Sequence, residues 1–595
     1  MEKIAIIDFG GQYTHLISRR IRNLGVYSEI YYPEDFQISN EICGIIFSGG
    51  PQNVNSKDTF KINFDITKSK VPILGICYGH QLLASILGGK IKSGENTEYG
   101  ATAVQIDADC RIFNKMKNDQ QVWMSHGDYV SSLPKNFKIT ASSESIKIAA
   151  FESDDGRFYG FQFHPEVTHS TNGMQMLDNF LKKCTAIRDW DSKHFKDDLI
   201  AKVREKAVGK KLILLLSGGV DSMVALKLCI SAVGNENIFS IHVDTGFMRK
   251  NESRELKKHF DNLGFQNIKI IDAEKLYLNE LEGVVKPEKK RLIIGKLFVD
   301  IANDELAKLD AKEDWMLVQG TIYPDTIESG NSKKSAKIKT HHNRVEEIEK
   351  LIKAGKIIEP LKELYKDEVR ELGTELGLPK FLVQRHPFPG PGLAIRVICS
   401  DKIKRDDDFE KEEKKLNEML LKYGMCGIIL PIKSVGVQGD FRTYHHPAVV
   451  WFEEKKTPNW QVLKKVSTKI INNLKTVNRL VFSQNKIEKP KLTKLFLEKS
   501  NLMELREVDA ILRKKTNIIE AIWQMPIVQL PLINDDGKRD YVIRPVCSQD
   551  AMSANFYEMD FFYLKNMISE VQKLPNVGDI FYDITTKPPG TIEWE

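Results

Sequence analysis

The chain has 595 residues, too many for one hydrophobic core, so length predicts about three or four domains. With 42% hydrophobic and 28% charged residues, its composition is globular rather than disordered or fibrous. A formal charge of +6 allows anionic substrates but does not argue for a nucleic-acid partner, and no apolar run approaches a membrane span. The eight cysteines form no CxxC pair, which argues against a zinc site or disulfide framework and for a reducing, cytoplasmic setting. The start, MEKIAIIDFGG, enters a strand directly and is too short for a signal peptide. No internal repeat is evident.

From the N-terminus, Ile4 to Ile7 reads as a strand and His15 to Leu24 as a helix. Cys43 to Phe47 is a second strand, ending in Ser48-Gly49-Gly50-Pro51. Pro72 to Ile76 is a third, running into Cys77-Tyr78-Gly79-His80-Gln81. Strands alternating with helices predict a mainly parallel, doubly wound sheet, whose sites lie beyond the carboxyl ends of its strands. Cys77 falls there, on a strand-to-helix turn between two glycines that exposes its sulfur. The following helix N-terminus favours the thiolate. Far downstream, FQFHPE predicts a strand ending in His164, with Glu166 two residues on. Cysteine, histidine and carboxylate are the parts of a nucleophile, its base and the group that orients the base. Ser48 to Pro51 offers N–H groups for an oxyanion hole.

Lys211 to Met223, KLILLLSGGVDSM, combines an apolar strand, a Gly-rich turn and a helix start. Such a turn brings backbone N–H groups and a helix N-terminus to phosphate oxygens. It lacks the Gly-Lys-Ser/Thr of a Walker A loop, and Asp221 suits a magnesium ligand. Ser192 to Val208 before it reads as a surface helix. The next strands are Phe239 to Val243, Asn267 to Ile271 and Trp315 to Gln319. They end in Asp244-Thr245-Gly246, Asp272-Ala273 and Gly320 to Ser329. Small, acidic and hydroxyl residues at strand ends suit a nucleotide with its metal. Gly330 to Arg344 is basic and aperiodic, either a solvated loop or a lid over phosphates. The adjacent His341 and His342 lack the spacing of a helix-borne zinc pair. In Arg385 to Ala394, alternating prolines fix a stiff, irregular segment, and Arg385 suits phosphate. Asp401 to Lys422 is a solvated amphipathic helix. Strand and helix patterns persist beyond it, as in Ala521 to Leu530.

SGGP, GICYGHQ, SHGD and FHPE resemble the class I glutamine amidotransferases. That resemblance implies Cys77 as nucleophile, His164 as base and Glu166 as its orienter. N–H groups near Gly49, Gly50 and Tyr78 would form the oxyanion hole, with Gln81 holding glutamine. His126 and Asp128 either help hold it or form a polar turn. SGGVDS resembles the pyrophosphate loop of the ATP pyrophosphatase superfamily. With VDTGFMR, QGTIYPDTIESG, KTHHN, EPLKELYKDEVR, RHPFPGPGLAIRV and the tail, the chain resembles the glutamine-hydrolysing GMP synthase family over nearly its whole length.

The resemblance implies an amidotransferase domain at 1–190 and an ATP pyrophosphatase (synthetase) domain at 191–396. Both would be α/β with doubly wound, mainly parallel sheets, the second of adenine nucleotide α-hydrolase type. An α+β XMP-binding domain with an insertion would occupy 397–595. It implies ATP bound by Ser217, Gly218, Gly219, Val220, Asp221, Ser222, Val243, Asp244 and Gly246, with Mg2+ on Asp221. Asp325, Glu328, Lys339, Thr340, His341, His342 and Asn343 would serve adenylation or the lid. XMP would meet Arg385, Pro389, Gly390, Lys587, Thr591 and Glu593, and Arg544 more weakly. The partners implied are XMP, ATP and glutamine, with no nucleic acid or membrane. Compact relatives dimerise through the C-terminal domain; the insertion leaves homodimer and monomer both open. NAD or asparagine synthesis, or tRNA thiolation, would use the same two halves, but RHPFPGPG and KPPGTIEW argue for XMP. A silent scaffold would not need Cys77, His164, Glu166 and Asp221.

Overall fold

The computed structural model describes residues 2–595 except 12, 57–59, 61, 168, 307, 309–313, 324, 326–353, 386–387, 404–408, 439–440, 454–457, 549–553 and 588. The chain forms two compact units. One holds Met1–Asp198 and the other runs from Leu199 to the end of the described chain, Tyr323 closing its first stretch.

The first unit is built on a nine-stranded sheet. Its strands are β1 (Lys3–Ile7), β2 (Ser28–Tyr31), β3 (Ile42–Phe47), β4 (Ile73–Ile76), β5 (Lys90–Ile106), β6 (Asp119–Ser132), β7 (Phe137–Ser143), β8 (Ala150–Ser153) and β9 (Phe158–Phe161). Their order is β2-β1-β3-β4-β9-β8-β7-β5-β6. β2 through β9 in that order pair in parallel, and the rest are antiparallel. The expected parallel arrangement therefore holds for the half that carries the FQFHPE and GICYGHQ turns. Its strands are short and apolar, with β4 and β9 wholly buried, as parallel strands covered on both faces must be. Helices α1 (Thr14–Asn23), α2 (Tyr78–Ile86) and α3 (Gly173–Lys183) contribute to that cover.

The second unit starts, after α4 (Ser192–Lys206), with a five-stranded sheet. Its strands β10 (Lys211–Leu215), β11 (Ile238–Asp244), β12 (Ile268–Asp272), β13 (Trp315–Val318) and β14 (Ile357–Ile358) lie in the order β12-β11-β10-β13-β14. Every neighbouring pair is parallel. The helices among them are α5 (Val220–Val233), α6 (Glu252–Asn262), α7 (Glu274–Glu280) and α8 (Pro287–Leu306), followed by α9 (Lys366–Glu375) and α10 (Lys380–Val383).

The C-terminal region corrects the expectation of a chain without repeats. Its first half runs α11 (Glu410–Leu421), β15 (Met425–Ile429), β16 (Ser434–Gln438), β17 (Phe441–Phe452), α12 (Trp460–Asn473) and β18 (Val477–Phe482). A short β19 (Lys491–Leu492) follows. The second half runs α13 (Lys499–Thr516), β20 (Ile527–Ile533), β21 (Arg539–Ile543), α14 (Phe561–Val571) and β24 (Val577–Asp583). A small ribbon, β22 (Val546–Cys547) with β23 (Asn555–Phe556), is inserted before α14. Helix, antiparallel strand pair, helix and parallel strand thus occur twice.

The two copies form one sheet, β15-β17-β18-β24-β21-β20-β19, joined at its centre by the antiparallel pair β18–β24. Register repeats as well: Leu480 pairs with Ala448 as Ile580 pairs with Tyr541. Apolar residues of α11, α12, α13 and α14 cover one face, and Trp594 of the tail packs against the other. The extra length expected as an insertion is thus a second copy of one unit.

Candidate active sites

In the first unit, β4 delivers Cys77 to the N-terminus of α2. Cys77 has φ 52, a left-handed conformation that costs a side chain about 1 kcal/mol or more and recurs at functional turns. The turn is tight because Gly79 lies on Phe47, where a Cβ would strike the Phe47 carbonyl. Gly79 N–H donates to Ser48 O at 3.0 Å and Cys77 N–H to Phe161 O at 2.7 Å, fixing the turn to its neighbouring strand ends. The sulfur is 3.5 Å from Ser125 O. The N–H groups of Gly50 and Tyr78 donate to no acceptor among the described residues, which leaves them available to an oxyanion.

Contrary to the expectation of a strand ending in His164, β9 stops at Phe161, and Pro165 cannot extend a ladder. Bonds from His164 N–H to Trp123 O at 2.9 Å and from Trp123 N–H to Ser170 Oγ at 3.0 Å are among those that tie the loop to β6. The imidazole Nδ1 lies 2.7 Å from Glu166 Oε1, and both side chains are buried. A Cβ on Gly49 would sit 3.2 Å from His164 Cε1 and 3.7 Å from Cys77 Cβ, so Gly49 leaves open the space beside both. Gln81 Nε2 donates to Asp128 O at 2.7 Å and to Gln162 Oε1 at 3.2 Å. His126 Nε2 meets Glu98 Oε2 at 3.1 Å.

Burial alone would lower the His164 pKa. The Glu166 carboxylate, and then the Cys77 sulfur, outweigh that and push it up to about 10. The folded value exceeds the unfolded one of about 6.5. The stabilisation is therefore fully present below the unfolded value and is lost as pH rises through about 10. Glu166→Gln removes the main raising charge, so the imidazolium should be lost at lower pH. A pH profile of the reaction at Cys77 should show its alkaline limb shifted down by about one unit or more. An unmoved limb would mean that Glu166 does not hold the imidazole charged.

In the second unit, Ser217 to Ser222 joins β10 to α5. Gly218 has φ +75 beside Leu256, a position only glycine fills without strain. Ser217 Oγ accepts from Gly219 N–H at 3.2 Å and lies 3.2 Å from Ser222 Oγ. Asp221, in the first turn of α5, has its Oδ2 2.6 Å from Lys366 Nζ, while Oδ1 is buried with no partner among the described residues. At the end of β13, Gly320 packs against the same turn. At the end of β11, Asp244 Oδ1 accepts from Gly246 N–H at 3.1 Å.

Arg385 bonds Gly218 O and pairs with Glu252, so it stands at the pyrophosphate-type turn. Pro389 and Gly390 form a turn closed by Gly392 N–H on Pro389 O at 2.9 Å. Lys587 is held in the tail by a two-way backbone bridge to Ala554. Thr591 Oγ1 accepts from Arg479 Nη2 at 2.6 Å. Glu593 receives Arg396 through two bonds, at 2.9 and 3.2 Å, and Gln524 Nε2 at 3.1 Å. Arg544 is buried against Asp583 at 2.8 Å. Of the expected adenylation and lid residues, Asp325 is described; Glu328, Lys339, Thr340, His341, His342 and Asn343 lie outside the described residues.

Sequence reasoning missed Lys366, Arg396, Arg479 and Gln524. Two had a readable signal. Lys366 is the first residue of α9, where the helix dipole disfavours a cation. Arg479 interrupts the apolar strand VNRLVF, and arginine is almost never fully buried unless paired. Burial pushes Arg479 down to about 9, opposed by Asp583 at 3.0 Å, so it stays charged near neutrality.

A strained cysteine before a helix, paired with a buried His–Glu couple, defines a class I glutamine amidotransferase. The glycine turn with Asp221 defines an adenylate-forming partner in the same chain. The family model of class-I glutamine amidotransferases matches residues 5–184, that of NAD synthase 192–297, and that of the GMP synthase C-terminal domain 411–493 and 512–594. A Leptospira interrogans protein named as a probable glutamine-hydrolysing GMP synthase is 42% identical, covering 100% of this chain and 99% of its own. A glutamine-hydrolysing GMP synthase of Clostridium tetani is 44% identical over 81% of this chain and 97% of its own. Among solved structures, a glutamine amidotransferase of Thermotoga maritima covers 34% of this chain and 85% of its own at 22% identity, with a TM-score of 0.25. The chain belongs to the glutamine-hydrolysing GMP synthase family.

Proposed function

We propose that the enzyme makes GMP from XMP, ATP and glutamine through two chemically separate sites. In the first, the Cys77 thiolate attacks the glutamine side-chain amide carbon. The N–H groups of Gly50 and Tyr78 receive the oxyanion, and the His164 imidazolium gives its proton to the departing ammonia. Water then hydrolyses the thioester to glutamate, with His164 as base. In the second, O2 of the xanthine ring attacks the α-phosphorus of ATP and pyrophosphate leaves. Ammonia attacks C2, and AMP leaves. Adenylation turns a poor leaving oxygen into a good one. Using ammonia before it meets bulk water keeps it from becoming ammonium.

The residues Ser217 to Ser222, with Val243, Asp244 and Gly246, are read as the ATP site. Asp221 and Lys366 would face the phosphates. Arg385 would extend that site, and the tail with Lys587, Thr591 and Glu593 would hold XMP. Mg2+ is part of this reading. It is commonly held by one or two carboxylates plus substrate phosphates, and Asp221 with its unpartnered buried oxygen fits that role. The ion would neutralise charge on the leaving pyrophosphate. Eight unpaired cysteines agree with a cytoplasmic setting. Among the described residues, no helix is long and apolar enough to cross a membrane.

The observation that carries this reading is the pairing of Asp221 with Lys366 over a glycine turn. It is tested with ATP labelled at the α-phosphate, XMP and ammonium. AMP and pyrophosphate should form with GMP, one for one. ADP and orthophosphate would refute attack at the α-phosphorus, and AMP formation indifferent to XMP would point to another acceptor.

A further inference from the structure

Outside the groups assigned above, the most completely enclosed cation is Lys290, on α8. It is 0% exposed and donates to three acceptors on two segments: Glu595 Oε2 at 2.6 Å, Val397 O at 2.8 Å and Ala394 O at 3.4 Å. An ammonium has three protons, and here three oxygen acceptors surround it with the Cys399 side chain beside them. The next residue, Arg291, donates through Nη2 to Glu595 O at 2.5 Å. Ala394 and Val397 flank Arg396, which grips Glu593 two residues before Glu595. The ammonium therefore ties together the end of RHPFPGPGLAIRV and the end of the tail.

Stability alone is a poor reason for such a group. Taking both charges out of water costs about as much as their attraction returns, and apolar replacements of such pairs are often neutral or better. What an enclosed ion pair can supply is register. Lys290 accepts only one placement of the tail relative to Ala394 and Val397, because shifting the tail by a residue would strand a buried charge. Above this point the tail is also held by Arg396 on Glu593, Arg479 on Thr591 and Trp594 Nε1 on Asp583. The Glu595 carboxylate is a further fixed point beyond them, held by Lys290.

We propose that Lys290 and Glu595 form a register latch that positions the tail for XMP, without either touching the reacting atoms. The latch rests on reading Lys587, Thr591 and Glu593 as XMP-binding. It predicts an effect confined to one substrate. In the ammonium-supported reaction, Lys290→Met and Glu595→Gln should each raise KM for XMP about tenfold or more, with KM for ATP changed less than about twofold.

A double variant, Lys290→Met with Glu595→Met, separates latch from scaffold. It leaves no lone buried charge, so it should regain the thermal stability lost in Lys290→Met. It lacks the directional bonds to Ala394 and Val397, so its KM for XMP should stay high. Recovery of KM together with stability would overturn the latch, as would a parallel rise in KM for ATP. Lys587→Ala serves as the control. If it raises KM for XMP while the Lys290 and Glu595 variants do not, the latch falls and the tail reading stands. If it leaves KM for XMP unchanged, both fall.

Discussion

Cys77→Ala should abolish glutamine-supported GMP formation, by about 10⁴-fold or more, while leaving the ammonium-supported reaction at raised pH close to that of the parent. The substitution is clean for a structural reason. Alanine and cysteine face the same cost at φ 52, so the turn before α2 is no more strained than before. The bond from residue 77 N–H to Phe161 O and that from Gly79 N–H to Ser48 O involve backbone only and survive. The N–H groups of Gly50 and Tyr78, proposed to receive the oxyanion, also survive. What disappears is the sulfur. His164 keeps Glu166, so the buried carboxylate is not orphaned, although the imidazole loses one of the two charges that raise its pKa. The readouts are glutamate release and GMP formation, each with glutamine or with ammonium chloride. Loss of the ammonium-supported reaction in a folded variant would contradict two separable sites.

Asp221→Ala should instead abolish GMP formation from either nitrogen source, by about 10³-fold or more, because adenylation precedes amination. The side chain can be removed without unbuilding the turn. The Gly218 conformation and the bonds among Ser217, Gly219 and Ser222 do not involve the carboxylate. Lys366 lies partly exposed, so losing its partner at 2.6 Å does not bury a lone charge. The loss should therefore be catalytic and not a loss of fold. Pyrophosphate release dependent on XMP and ATP reports the step directly. Normal release from a folded Asp221→Ala would remove this carboxylate from the reaction. Retained thioester formation at Cys77 would show that the first unit is intact.

What the sequence disclosed was chemistry tied to unusual local backbone. Cys77 between glycines and SGGVDS before an apolar helix announce themselves because few residue types tolerate those turns. The strands leading to them are legible for a related reason: parallel strands covered on both faces are continuous apolar runs. Hidden from the sequence were partners that arrive from far along the chain. Lys366 meets Asp221 from 145 positions along the chain, and nothing local in KELYKDEVR says where its ammonium points. His164 was found, but on the wrong kind of element, because the apolar run FQF continues past the last ladder bond. The repeated C-terminal unit escaped for another reason. Its interior positions share apolar character, sometimes the same residue, at spacings that any buried strand or helix would show: Leu463 and Leu564, Val477 and Val577, Leu480 and Ile580. Its charged positions have diverged, with Arg479 in one copy answered by Asp579 in the other.

That divergence has a consequence of its own. In an assembly of two identical chains, every mutation at the shared seam is made twice, so a charge gained on one side is imposed on the other. Here both sides of the β18–β24 seam are written separately in one polypeptide. Arg479 from the first copy and Asp583 and Arg544 from the second meet at one end of the seam, while Asp579, Ser483 and Trp451 stand at the positions the register would mirror. Freed from mirror copying, one end of the seam could specialise in gripping the tail and the other drift toward plain scaffolding.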